Sequence, residues 1–177
     1  MLGEQIKVIS ANCQGLRNKS KRVDVINYFK TLCPNIICLQ DTHLTEQEET
    51  ELKLLSKCTC LMSGVKTNSR GVAILFMNNF DFKILNSKAD DQGNLIYADI
   101  EIDTVSLRLV NIYAPNVDNP AFFHYVNDII EENSLDHLVL CGDFNLVLNP
   151  ELDCSNYVSI NNPKARLTLI ETLVYIT

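Results

Sequence analysis

Short apolar runs that stop on an oxygen-bearing side chain constrain this chain more than any other feature. Strand-like segments read IKVISAN (6–12), NIICLQ (35–40), CTCLMS (58–63), GVAILFM (71–77), FKILNS (82–87), NLIYADIEI (94–102), VSLRLVNIY (105–113) and HLVLCGD (137–143), each rich in β-branched and aromatic residues and bounded by turn formers. Three of them are continuous apolar runs, the pattern of strands covered on both faces. By contrast, 94–113 alternates apolar and polar residues around Asp103-Thr104, which predicts an antiparallel hairpin with one solvated face.

Helical segments lie between these runs. Residues 19–32 set Val23, Ile26, Phe29 and Leu32 three apart on one face. Thr45 and Glu48 have the spacing of a capping box that opens a helix over 45–55. Asn119-Pro120 predicts an N-cap and a first-turn proline, with Phe122, Phe123, Val126, Ile129 and Ile130 on the buried face behind them. A last helix is predicted over 164–175, with Leu167, Ile170 and Val174 as its stripe. Strands and interleaved helices together predict an α/β (α+β) domain in which helices cover the outer faces of sheets.

Composition sets bounds on what such a domain does. A hydrophobic share of 46% over 177 residues lets one core bury roughly 70% of the unfolded surface, so no disulfide or metal staple is required. No apolar run approaches the ~20 residues of a membrane-spanning helix, and the start, MLGEQIKVIS, lacks the basic and apolar regions of a secretion signal. The expected location is intracellular, nucleus or cytoplasm, with no membrane partner. Cysteine is odd in number at 7; Cys13, Cys38 and Cys141 sit in or beside apolar runs, where a free thiol acts as a small hydrophobe. Cys58 and Cys60 are one residue apart with no following Cys/His pair, which is not zinc-ribbon spacing. A net charge of −7 excludes nucleic-acid binding through a broad basic surface. A polyanion would have to be met at a local site, for example by divalent cations held on carboxylates.

Such a site is suggested where the runs end. Asn12 closes the first, Asp41 follows ICLQ, and Asp143 and Asn145 follow LVLCG. Strands sharing a sheet and a direction would bring these residues to one edge, the usual location of a site in mixed α/β folds. Carboxylate and amide oxygens are hard donors suited to Mg²⁺ or Mn²⁺, and Mg²⁺ takes one or two protein carboxylates while keeping water and substrate phosphate. The set fits metal-assisted phosphodiester chemistry. Tyr113, closing VNIY, could place a phenol at that edge and hydrogen-bond a phosphate oxygen. Taken singly, Asn12 and Asn145 read as turn formers, Asp41 as a helix-proximal cap and Tyr113 as an amphipathic strand end. Their combination in this order argues for the functional reading.

The segments ANCQGLR (11–17), CLQDTHL (38–44), GVAILF (71–76), NIYAPN (111–116) and GDFN (142–145) resemble the endonuclease/exonuclease/phosphatase superfamily, most closely the apurinic-endonuclease-like domain of LINE-type retrotransposons. The resemblance implies a four-layer α/β/β/α sandwich of two mixed sheets and a Mg²⁺-dependent cut in the DNA phosphodiester backbone. By position it implies that Asn12 helps hold the metal and Asp41 is its main carboxylate ligand. It likewise implies that Asp143 orients or deprotonates the attacking water, Asn145 hydrogen-bonds the scissile phosphate, and Tyr113 contacts a phosphate oxygen.

Two positions depart from the family pattern. Asp41 stands where glutamate is usual, withdrawing the carboxylate by about 1.5 Å. After GDFN the family continues to a Ser-Asp-His motif, whereas here the histidines are His43, His124 and His137 and the later aspartate is Asp153. The expectation is one domain over 1–177, incomplete at its C-terminus and missing its last strands, with impaired activity. An unpaired sheet edge would then invite self-association. Alternative expectations are a phosphatase of the same superfamily acting on inositol lipids or small phosphate esters, and a non-catalytic remnant.

Overall fold

The structure is a computed structural model that describes residues 5–63, 69–132, 135–153 and 162–176. They fall into two compact units, one made of Met1–Tyr113 and Leu135–Asp143, the other of Ala114–Ser134 and Phe144–Thr177. Among the described residues, no helix is long and apolar enough to cross a membrane.

The first unit is built on two four-stranded sheets. Its first sheet contains β1 (Val8–Asn12), β2 (Ile36–Gln40), β3 (Thr59–Met62) and β4 (Val72–Phe76), in the order β1-β2-β4-β3. β1 and β2 are parallel, whereas β4 runs antiparallel to β2 and β3. The second sheet contains β5 (Lys83–Ala89), β6 (Leu95–Ile102), β7 (Val105–Tyr113) and β8 (His137–Asp143), in chain order, with β7 and β8 parallel. Two mixed sheets with helices make this the α/β sandwich that the sequence predicts.

Strand periodicity divides the core into layers. On β2 and β4, Ile36, Cys38, Val72, Ile74 and Phe76 join Ile96, Ala98, Ile100, Leu107 and Leu109 in the layer between the sheets. The intervening residues Ile37, Leu39, Ala73 and Leu75 point the other way, onto Ile26, Phe29 and Leu52 of the helices α1 (Lys19–Thr31) and α2 (Glu46–Ser56). Side chains two apart share a face, so continuously apolar strands serve both layers at once.

Both helices start where the sequence marks them. Asn18 Oδ1 accepts the Lys21 N–H at 3.0 Å at the start of α1, and Glu48 Oε2 accepts the Thr45 N–H at 2.9 Å at the start of α2. The buried face of α1 departs from the expected stripe: Arg22 joins Ile26 and Phe29, while Val23 and Leu32 are only partly buried. Its guanidinium donates to the carbonyls of Leu16 and Arg17 and pairs with Glu51 of α2, which is why a cation tolerates burial there.

The expectation of a solvated face on the 94–113 hairpin is corrected. Asp103 makes the turn at φ 55° as expected, but Leu95–Ile100 and Leu107–Ile112 are buried along their length. Buried polar residues there find partners within the protein. Asp99 and Arg108 face one another across β6 and β7, with Arg108 Nε 2.7 Å from Asp99 Oδ1 and Nη2 2.8 Å from Oδ2. The Tyr97 ring lies 5.2 Å from the same guanidinium.

In the second unit, α3 (Pro120–Glu131) packs against α5 (Pro163–Ile176), and α4 (Pro150–Asp153) is a single turn. Asn119 caps α3 as expected, accepting the Phe122 N–H. The predicted stripe of α5 is corrected: Leu167 is 56% exposed, and Ala165, Thr168, Leu169 and Thr172 are buried instead. The Val174 side chain lies outside the described residues. Thr168 and Thr172 tolerate burial because each hydroxyl donates back to a carbonyl one turn earlier, on Lys164 and Thr168. Asp118 sets the start of α5 by accepting the Ala165 N–H at 2.8 Å.

Candidate active site

Parallel pairing places the predicted residues by register. β1 against β2 brings Asn12 beside Gln40, with Asp41 next in the chain. β7 against β8 brings Tyr113 beside Asp143. Each sheet therefore carries half of a polar edge at the C-terminal ends of its parallel strands. At the edge, Asn12 Nδ2 donates to Asp143 Oδ2 at 2.6 Å and so joins the halves, and the Tyr113 phenol stands close enough to the Asp41 carboxylate to feel its charge.

Loops beyond the strand ends are stitched together by backbone bonds. Cys13 N–H donates to the Gln40 carbonyl, Gly15 N–H to that of Asp41 and Leu16 N–H to that of Thr42, extending the β1–β2 pairing past the sheet. Thr42 and His43 N–H groups donate to Gly71 and Arg70 carbonyls at 3.0 and 2.7 Å. Asp41 and His43 take left-handed φ of 54° and 56°, a conformation that aspartate adopts with comparatively little strain. Gly71 is required at the crossing, since a Cβ would stand 2.5 Å from Thr42 Oγ1.

Charge at this edge is concentrated and partly shielded. His43 Nε2 lies 2.6 Å from Asp41 Oδ1, and the Asp41 side chain is 14% exposed. Burial, then the charges of Asp41 and Asp143, push the Tyr113 phenol up from its ordinary value, with Arg70 opposing. Tyr113 is thereby kept as a hydrogen-bond donor. Burial also pushes the neighbouring Cys13 thiol up to about 12, so it stays protonated and inert.

Beneath the edge lies a buried polar link that sequence reasoning missed. Gln40 Nε2 donates to Asn111 Oδ1 at 2.7 Å, joining β2 to β7. Asn111 Nδ2 in turn donates to the carbonyls of Leu39 and Ala73, both at 3.0 Å. A signal for it existed: Asn111 stands in the apolar stretch LVNIY (109–113), and an amide enclosed in a core must find partners. His43 was likewise passed over as a partner of Asp41.

Asn145 belongs to the second unit, where it takes φ 48° and its Nδ2 donates to the Ala114 carbonyl at 2.7 Å. Asn12, Asp41, Tyr113 and Asp143 are thus brought together within one unit, and Asn145 follows Asp143 by two residues. Among the described residues, no group of three or more His, Cys, Asp or Glu side chains forms a cation cage. The donors present at the edge are instead carboxylate and amide oxygens. Such a set suits Mg²⁺, which retains most of its water and requires only one or two carboxylates.

The chain belongs to the endonuclease/exonuclease/phosphatase family, whose model matches residues 9–152. Over 147 residues it is 25% identical to the transposon TX1 uncharacterized 149 kDa protein of Xenopus laevis, covering 81% of this chain and 11% of that protein. An exodeoxyribonuclease of Bacillus subtilis is 26% identical over 176 residues, covering 90% of this chain and 64% of the relative. The chain therefore spans less than two thirds of either relative. Among solved structures, the APE2 catalytic domain of Xenopus laevis shares the fold, with a TM-score of 0.74 at 18% identity over 94% of this chain and 67% of that one.

Proposed function

We propose that this chain is a divalent-metal-dependent DNA endonuclease domain of retrotransposon origin, hydrolysing phosphodiester bonds at the edge formed by Asn12, Asp41, Tyr113 and Asp143. The observation that carries this reading is the junction of two strand-end pairs from different sheets, Asn12 of one donating to Asp143 of the other at 2.6 Å. Similarity to a transposon protein and to an exodeoxyribonuclease supports the choice of DNA.

In this reading Asp41, with Asn12 beside it, holds Mg²⁺ or Mn²⁺. The ion supplies Lewis-acid stabilisation of charge developing on the phosphate. Asp143 orients the attacking water and accepts its proton, while the Asn12 amide fixes the carboxylate by donating to it. Tyr113, held protonated, donates to a phosphate oxygen. Positioning of water and phosphate in line is the main contribution of such groups.

Turnover is expected to be slow. His43 is engaged with Asp41, His137 opens β8 at the end opposite Asp143, and His124 lies on α3. In this reading none of these three imidazoles acts as general acid, help that is commonly worth about 10²–10⁴-fold.

Supercoiled plasmid incubated with the protein and Mg²⁺ tests the proposal. Conversion to nicked circles is expected, abolished by chelation and reduced at least about 10²-fold in Asp143→Ala. Absence of nicking by a folded protein, with turnover of a phosphoinositide in parallel, would replace this reading with the phosphatase one. Absence of both, with no Mg²⁺-dependent rise in melting temperature, would leave a non-catalytic fold.

A further inference from the structure

A pair of thiols lies apart from the polar edge. Cys58 sits in the bend between α2 and β3, Cys60 is the second residue of β3, and both are half-buried against the apolar layer under α1 and α2. The left-handed Lys57, at φ 55°, turns the chain out of α2, and the alternation of an extended segment places residues 58 and 60 on one face. Their sulfurs are 3.7 Å apart. Ser56 Oγ stands 3.4 Å from Cys60 Sγ. Lys30 of α1, anchored on the Leu55 carbonyl at 3.2 Å, is a cation facing Cys58, and Lys53 of α2 faces Cys60.

Surroundings make the two sulfurs unequal. A hydrogen bond from Cys60 pulls the Cys58 thiol down; burial opposes this, and Ser56 and Lys30 pull further down, to about 7. Donation to Cys58 and burial push Cys60 far up. A thiolate beside a cation, accessible and touching a second thiol, is the arrangement of an attacking and a resolving sulfur. Nothing in the phosphodiester reading uses these residues.

We propose that Cys58 and Cys60 form a thiol–disulfide exchange site, with Cys58 attacking and Cys60 resolving, whose substrates are small-molecule disulfides of the glutathione type. Cys58, having lost its proton to solvent, attacks one sulfur of RS–SR. The S–S bond breaks, and the departing RS⁻ takes a proton from solvent to leave as RSH. Cys60 then loses its proton to solvent and attacks Cys58 Sγ, expelling the second RS⁻, which is protonated in turn. Two protein thiols are oxidised to one disulfide while one small disulfide is reduced to two thiols.

The test uses buffers of glutathione and glutathione disulfide, an alkylating quench and tryptic digestion. The peptide CTCLMSGVK, residues 58–66, contains both thiols and no other cysteine. In the wild-type chain it is expected to lose two hydrogen atoms in mass, reversibly on reduction. Cys60→Ser is expected to accumulate a glutathionyl adduct on Cys58 about tenfold faster than on the exposed Cys33, and Cys58→Ser to leave Cys60 unmodified. In the wild-type chain, alkylation of Cys58 is expected to rise with pH around a midpoint near 7. The proposal is overturned if the wild-type peptide stays a dithiol under conditions that glutathionylate Cys33, or if the adduct forms on Cys60 in preference to Cys58. The wild-type readout stands even where a variant folds poorly.

Discussion

Gly142 shows how much one position in the GDFN run decides. It has φ 141°, and a Cβ there would stand 2.0 Å from the Ile112 carbonyl oxygen, its register partner across β7 and β8. Gly142→Ala is therefore expected to destabilise by more than about 2 kcal/mol in urea unfolding, by forcing apart the strands that end on Tyr113 and Asp143. The motif was legible as letters, but the need for glycine was not, because close approach to another strand leaves no mark in the local sequence. Asn12 poses a different kind of question. Asn12→Ala removes the donor to Asp143 at a half-exposed edge, so nicking is expected to fall about tenfold or more while the melting temperature changes little. Equal losses in stability and rate would assign Asn12 to the fold alone.

At the scale of elements, α2 offers a pH-dependent prediction. Glu48 is held below its ordinary value; burial opposes this, but hydrogen bonds from the Thr45 backbone and hydroxyl prevail, with Arg17 and Arg22 assisting. Its contribution is present above the ordinary glutamate value of about 4.3 and is lost as pH falls through the lowered one. Melting temperatures between about pH 6 and pH 3 should thus fall less steeply in Glu48→Gln than in the wild-type chain. The β6–β7 hairpin offers a second prediction. Arg108→Met leaves Asp99 as an unpaired buried charge and is expected to cost about 3–5 kcal/mol, whereas replacing both with leucine should recover most of the loss. Two caps were legible in this sequence because they are local: Thr45 with Glu48, and Asn119, each act within three residues. The hairpin's solvation was misread because alternation reports polarity, and Asp99 and Arg108 satisfy theirs by facing one another.

For the molecule as a whole, the strands and the strand-end residues followed from the runs themselves, while the strand order and the contacts between sheets did not. Gln40 and Asn111 are 71 residues apart, and no periodicity relates them. Asn111→Leu is expected to take one of three acceptors from the Gln40 amide and the donor from the Leu39 and Ala73 carbonyls, costing about 1–3 kcal/mol, and to depress nicking beyond what the loss of folded protein explains.

Each sheet presents half of the polar edge, and side-chain bridges from Asn12 and Gln40 keep the halves aligned. Sliding one sheet past the other by a single residue would displace them by about 3.3 Å, further than a hydrogen bond reaches. Drift in the apolar layers can be absorbed by repacking, but drift in this alignment cannot. A lineage of such chains would grow silent as catalysts long before it ceased to be recognisable in outline.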